Sequence, residues 1–321
     1  MALLAVLLAV ACSSGPDGAA PARTPEKPHL KLGILPVLGA APAFLAQESN
    51  FFRDAGLQVE FVTIQGAGAA MDSLAKGDLD MVFGNYVSFF TTQAKGTTSI
   101  KFVADGYFAQ PRTWMVLVPK DSKLHKPADL SGKRVAVTTT SSLADLTIKA
   151  VLSTTGSQIQ PLSFSEMSYT DMGTALTNHT VDAALLSEPY ITDVAKKTGA
   201  IPLFDAASGP TADMPISGYS TTEKFASANP NTIAAFQQAL SRGAEIAGTD
   251  RGRVEQVIHK FAGVDEQTAA LCTLVGYPTR MDPRRLQRVP DLMSAYGLLK
   301  TRIDAQSMIL PSAMGDQVSA G

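Results

Sequence analysis

From Leu30 onward, short apolar runs alternate with amphipathic stretches of helical length. LKLGILPV, LQVEFVTI, LDMVFGN and IKFVA are separated by APAFLAQESNFFRDAG and AGAAMDSLAKG, the βαβ rhythm of a mainly parallel sheet covered on both faces. The rhythm restarts after Lys133 with RVAVT, a helix over 143–153, PLSF, a helix over 169–177, VDAALLS, a helix over 190–197 and IPLF. Beyond Asn229 the pattern turns helical, with Pro230 at a helix start and further helices over 265–275 and 283–299. The class predicted is α/β, in two units followed by helices.

The two units echo each other. LAKGDLDMVFGNY (74–86) and LTNHTVDAALLSEPY (176–190) both run Leu, five residues, Asp, a core strand, then polar groups and a tyrosine. Asp80 and Asp182 thus occupy matching places. Two related lobes with polar strand ends imply a cleft between them; the competing reading is chance similarity of two βαβ units. VDAALLS breaks abruptly into Glu188-Pro189-Tyr190, so a core strand ends by presenting a carboxylate.

The N-terminal run Ala2 to Ala11 is too short to span a membrane and has the length of a secretory h-region. Ala9 and Ala11 precede Cys12, and Ser13-Ser14-Gly15 follow, which resembles a bacterial lipobox with lipid on Cys12. A plain secreted protein, or a buried structural Cys12, is the alternative. Residues 13–29 are rich in Pro, Ala, Ser and Gly and read as a flexible tether without fold. The chain has two cysteines, so lipid on Cys12 leaves Cys272 as a lone, buried thiol.

Length and composition add bounds. With 321 residues, 45% hydrophobic and 17% charged, the chain holds one large or two ordinary domains with real cores. A net charge of −2 with both signs scattered gives no basic surface for nucleic acid or for an anionic membrane face.

LGILPVLGAAPAFLAQESNFFRDAGLQVEFV, LAKGDLDMVFGN, LSGKRVAVTTTSS and VDAALLSEPY, in that order, resemble the solute-binding proteins of ABC importers in the nitrate/sulfonate/taurine and thiamine-precursor group. The resemblance covers residues 30–245. It implies a type II periplasmic-binding-protein fold, two α/β lobes joined by two crossover segments around a ligand cleft. The crossovers are expected near 112–120 and 214–221, with lobe 1 as 30–112 and 222–321 and lobe 2 as 113–221. It also implies a monomer that delivers a small molecule to an ABC permease and its ATPase, with no cofactor and no metal.

Ligands of open α/β sheets sit beyond the carboxyl ends of strands, near helix N-termini. The candidates there are Gly39 and Ala40 after the first strand, Gln65, Gly66 and Gly68 after the second, and Asn85 and Tyr86 after the third. In the second unit they are Thr139, Thr140, Ser141 and Ser142 of VAVTTTSSLADL, then Glu188 and Tyr190; Arg112 and Trp114 flank the first crossover. Each has a plainer reading. The glycines suit ordinary turns, Asn85 and the hydroxyls suit helix caps, and Trp114 suits core packing. Glu188 at a helix N-terminus is favourable by ~0.3–1 kcal/mol through the dipole alone. Arg112 is the cation to test if the ligand is an anion.

A receptor and an enzyme remain as alternatives, since some relatives make a thiamine pyrimidine or dehydrate a chorismate-derived acid. His29, His125, His179 and His259 lie away from the predicted strand tips and from any second His or Cys ligand. The cysteine-rich run of the thiamine-pyrimidine synthases is absent. A third reading is a lipoprotein whose cleft binds nothing and which acts as an interaction module. Hydroxyls, amides and aromatics at the strand tips, without Lys or Arg, lean toward a small organic ligand of limited charge.

Overall fold

The computed structural model describes residues 24–313; the leader, Cys12 and the tether up to residue 23 lie outside them. The first series folds as β1 (His29–Ile34), α1 (Ala41–Glu48), α2 (Phe51–Asp54), β2 (Gln58–Thr63), α3 (Ala67–Lys76), β3 (Met81–Asn85), α4 (Tyr86–Lys95) and β4 (Ile100–Phe108). The second folds as β5 (Trp114–Val118), β6 (Arg134–Val137), α5 (Leu143–Ser153), β7 (Ser163–Glu166), α6 (Tyr169–Thr177), β8 (Ala183–Ser187), α7 (Tyr190–Thr198) and β9 (Ile201–Asp205). The chain then returns through β10 (Pro215–Thr222) to α8 (Glu223–Ala228), α9 (Pro230–Thr249), α10 (Arg251–Ala262), α11 (Glu266–Leu271) and α12 (Pro283–Ala295).

The strands form two sheets of matching order, β2-β1-β3-β10-β4 and β7-β6-β8-β5-β9. In each, the first three strands are parallel, and the fourth, β10 or β5, runs antiparallel to both neighbours. The sequence echo maps onto this match, because β3 and β8 hold the same central place. The two aspartates do the same work: Asp80 Oδ2 accepts from the Lys31 amide and Asp182 Oδ2 from the Arg134 amide, each at 2.9 Å, tying the start of the third strand to the first.

Cores follow from the buried strands. Met81, Val82 and Phe83 in one sheet and Ala183, Ala184 and Leu186 in the other are inaccessible to solvent, as parallel strands covered on both faces must be. The helix after β1 packs on α9, which it approaches closely because Gly243 has no side chain; a Cβ there would lie 2.1 Å from the Pro42 carbonyl oxygen. Phe44 of α1 stacks on Phe261 of α10 at 4.0 Å between centroids, so the C-terminal helices belong to the first sheet's lobe.

Three expectations are corrected. The crossovers are 109–113 and 206–214, because WMVLV is β5 of the second sheet and PISGYSTT is β10 of the first. The boundary expected at 221/222 therefore moves ahead of Pro215. The tether ends sooner than residue 29. Glu26 accepts from the free amides of Asn231 and Thr232 at the start of α9, at 3.0 and 2.9 Å, and Lys27 pairs with Asp80 at 2.6 Å, a helix-end carboxylate and an ion pair that hold residues 26 and 27 on the lobe. Finally, the helix expected over 265–275 stops at Leu271, and that over 283–299 at Ala295.

Candidate functional site

The carboxyl ends of the strands in both sheets converge on one interlobe cavity. Asn85 ends β3, Tyr107 lies near the end of β4, Ser187 ends β8 and Trp114 begins the antiparallel β5. Thr138 and Thr139 follow β6, Ser142 caps α5, Tyr169 opens α6, and Ser217 comes from β10. Its free volume is about 30 Å³, room for about two waters, so a larger ligand needs the lobes to part before they close on it.

The wall mixes hydroxyls, an amide and aromatic rings with apolar side chains such as Leu35, Val37 and Leu185, and it is uncharged: among the described residues, no Asp, Glu, Lys, Arg or His lines the cavity. Asn85 Oδ1 accepts from the Ser88 amide at 2.8 Å and so caps α4, which leaves its Nδ2 as the donor it has to offer. Trp114 donates Nε1–H to Thr147 Oγ1 at 3.2 Å, so its contribution to the cavity is an aromatic surface. The Tyr107 hydroxyl lies toward Ser187 and Ser217, and burial pushes it up to about 12. Tyr169 stacks on Tyr190 with centroids 5.1 Å apart, and burial raises its hydroxyl above the usual phenol range. Ser187 Oγ is buried at the cavity wall beside the Tyr107 hydroxyl.

Of the residues singled out in the sequence, the structure brings Asn85, Trp114, Thr139 and Ser142 to this cavity. Gly66 and Gly68 meet the opposite lobe instead: a Cβ at either would lie 2.4 Å from the Thr139 side chain. Gly39 lies under the Tyr107 ring, where a Cβ would sit 2.1 Å away. Ala40 is buried beside it in the lobe 1 core, while Gln65 is exposed. Tyr86 turns into the lobe 1 core, edge-on to Phe102, with its hydroxyl donating to Asp105 Oδ1 at 2.8 Å. Thr140 donates its amide and hydroxyl to Glu166, and Ser141 is exposed. Tyr190 backs Tyr169 from behind. Arg112 is exposed in the crossover with φ 68°, its amide donating to Asp205 Oδ2 at 2.7 Å, so no guanidinium faces the cavity.

Tyr107, Tyr169 and Ser217 were missed in the sequence. Tyr169 was legible as the first residue of a helix after a strand, the position that faces a cleft. Ser217 was hidden by reading β10 as a crossover. Tyr107 sits at the end of a strand within the run YFAQ, and no local pattern marks it.

Glu188 lies beside the cavity wall rather than in it. The residue is 2% exposed. Its Oε1 accepts from the Thr192 hydroxyl at 2.9 Å and from the Thr273 amide at 3.1 Å, and Oε2 accepts from the Thr192 amide at 3.1 Å. Its backbone carbonyl accepts from the Leu38 amide at 2.9 Å. Thr273 and Leu38 both belong to lobe 1, so the strand end carries a latch between lobes. Thr273 is available because α11 ends at Leu271. Burial lifts the Glu188 carboxyl above the usual range, and the hydrogen bonds from Thr273 and Thr192 oppose that rise. Nearby, burial and then the Glu188 charge push the Cys272 thiol up, which disfavours a thiolate nucleophile.

Further contacts close the mouth. Ser142 Oγ lies 2.7 Å from Ser88 Oγ and 3.1 Å from Asn85 Oδ1, and Lys196 of α7 pairs with Asp265 at the start of α11 at 2.7 Å. On the crossover side, Arg285 pairs with Asp213, and Arg288 donates to the Ala212 carbonyl at 2.9 Å.

Residues 39–250 match the family model described as NMT1/THI5 like. The chain belongs to this family. No curated protein matches it. Among solved structures, the fold is similar to the alkanesulfonate-binding protein SsuA from Xanthomonas axonopodis pv. citri bound to MOPS, with TM-score 0.74 and 19% identity over 89% of this chain and 99% of that one. It is similar to the nitrate-binding protein NrtA from Synechocystis PCC 6803, with TM-score 0.71 and 15% identity over 89% and 86% of the two chains. It is also similar to the desulfurization enzyme DSZB, with TM-score 0.68 and 14% identity over 90% and 98%. The two-lobed periplasmic-binding-protein-like fold is thus established. Among the described residues no helix is long and apolar enough to cross a membrane, and no cluster of His, Cys, Asp and Glu has the makings of a metal site.

Proposed function

We propose that the protein is the solute-binding component of an ABC importer, closing its lobes around one small organic molecule and presenting the closed form to a permease and its ATPase. The observation that carries this reading is the interlobe cavity, where strand ends of both lobes converge with hydroxyls, an amide and aromatic rings but no charge. Such a wall recognises by hydrogen bonding and stacking. The lack of charge favours an uncharged, pyrimidine-type heterocycle over a sulfonate or carboxylate, with nitrate last. Names of the structural neighbours support binding as the activity; the cavity's own chemistry argues against carrying their anions over unchanged. The protein acts as a monomer, outside the cytoplasm, held by lipid on Cys12 and a tether that ends ahead of Glu26.

Catalysis finds little purchase in the wall. Of the buried carboxyls beside it, Glu188 has its oxygens engaged by Thr192 and Thr273, and Asp145 Oδ2 accepts from the Ser142 amide at 3.4 Å. Calorimetry and thermal shift against pyrimidines, sulfonates, aromatic carboxylates and nitrate test the proposal. One ligand is expected to bind saturably, with one site per chain, and to be recovered unchanged. Chemical turnover of any of them would overturn the receptor reading, and a nitrate preference would overturn the inferred ligand class.

A further inference from the structure

Lobe 1 contains a second cavity, of about 420 Å³, within the size range of small-molecule sites. It lies between the middle of β4, α9 and the C-terminal segments 278–283 and 306–312. Leu240, Met281 and Leu310 give it apolar walls, and polar side chains join them, among them Asp105, Ser241, Gln237 and Arg280. Ser241 is 8% exposed and its Oγ has no hydrogen-bond partner, a buried polar group that ordinary packing leaves at a cost. Asp105 uses Oδ1 to accept from the Tyr86 hydroxyl at 2.8 Å and from the Gly106 amide at 3.0 Å. Arg280 has partners of its own, but a guanidinium carries five N–H donors and can serve more than one acceptor.

A carboxylate and a guanidinium on the wall of one apolar pocket match a ligand that carries both charges itself. A simple cation would meet Arg280, and a simple anion would meet Asp105. We propose that this cavity is a second binding site, distinct from the interlobe cleft, for an α-amino acid with an apolar side chain. Its ammonium group bonds Asp105 and Ser241, its carboxylate faces Arg280, and its side chain packs on Leu240, Met281 and Leu310.

The charged and titratable groups around Asp105 are Tyr86 on α4, Asp282 and Arg285 at the start of α12, and Arg280 on the wall. Burial outweighs these and lifts the Asp105 carboxyl to about 7. The ammonium requires the ionised form, so affinity is expected to rise between about pH 6 and about pH 8.

Calorimetry with L-leucine tests the site, with isoamylamine, which lacks the carboxylate, and isovalerate, which lacks the ammonium group, as comparators. Leucine is expected to bind more tightly than either by about tenfold or more. Asp105→Asn and Ser241→Phe, each checked for folding by circular dichroism, are both expected to lose leucine binding by at least about tenfold, while Thr139→Ala in the interlobe cleft keeps it. Equal binding of the three compounds would overturn the proposal without recourse to any variant. So would the absence of saturable leucine binding, or leucine binding lost in Thr139→Ala and kept in Asp105→Asn.

Discussion

Asp105 and Glu188 are carboxyl groups whose surroundings oppose their charge. For Asp105, the folded value of about 7 stands above the ordinary 3.8. Between those values the folded chain holds more protons than the unfolded one, so stability falls as pH rises through roughly 4 to 7 and levels off above. Glu188, also raised by burial, acts in the same direction. Thermal melts of the native protein and Asp105→Asn across this range are expected to diverge, with the variant flatter and the more stable at alkaline pH, because an amide oxygen still accepts from Tyr86. Identical pH profiles would remove Asp105 from the account. For Glu188, replacement by Gln keeps an acceptor for the Thr273 amide. Replacement by Ala strands that amide and the Thr192 amide, at ~1–3 kcal/mol for an unsatisfied buried group. Glu188→Ala is therefore expected to weaken ligand binding in the cleft by about tenfold, with Glu188→Gln much closer to native in the same titration. The sequence marked Glu188 as a break in an apolar run. It did not reveal the partner, because Thr273 is brought in from 85 residues away.

At the scale of elements, lobe closure depends on the N-terminal turn of α3 meeting the loop after β6. A Cβ at Gly68 would press on Thr139 Cγ2 at 2.4 Å, with Thr139 Cβ at 3.6 Å. Gly68→Ala is expected to hold the lobes apart and weaken ligand binding, while Thr139→Ala in the same chain relieves the clash. A double-mutant cycle measured by calorimetry reads the coupling, and additive effects would place the two residues out of contact. Most elements were legible: the helix read over 143–153 is α5 and that over 169–177 is α6, since caps and apolar spacing are local signals. The helix ending at Leu271 was overextended, because LCTLV is apolar enough to continue one, whereas in the structure the Thr273 amide bonds Glu188 instead. WMVLV and PISGYSTT were read as connections, although each is a central strand. A strand's pattern reports that it is buried and says nothing of which sheet buries it.

For the molecule as a whole, the contacts that close the lobes are mostly neutral hydrogen bonds and packing, with exposed ion pairs such as Lys196–Asp265 at the edge. Exposed pairs contribute little and are screened by salt. Raising salt from about 50 mM to about 500 mM should therefore change cleft affinity only a few-fold, whereas a steep loss would point to an anionic ligand held by charge. Small-angle scattering is expected to register a smaller radius of gyration when ligand is added, as the lobes close; no change would mean that closure does not follow binding. Pattern and composition alone were enough to anticipate the α/β class, two lobes of matching strand order and few charges at their strand ends, because each is a local property repeated along the chain. Tertiary structure alone decided which strand joins which sheet, that Tyr107 and Ser217 share a wall with Tyr169, that Tyr86 faces the core and that Glu188 latches one lobe to the other. Those outcomes depend on contacts between residues far apart in the chain, and no local periodicity encodes a distant partner.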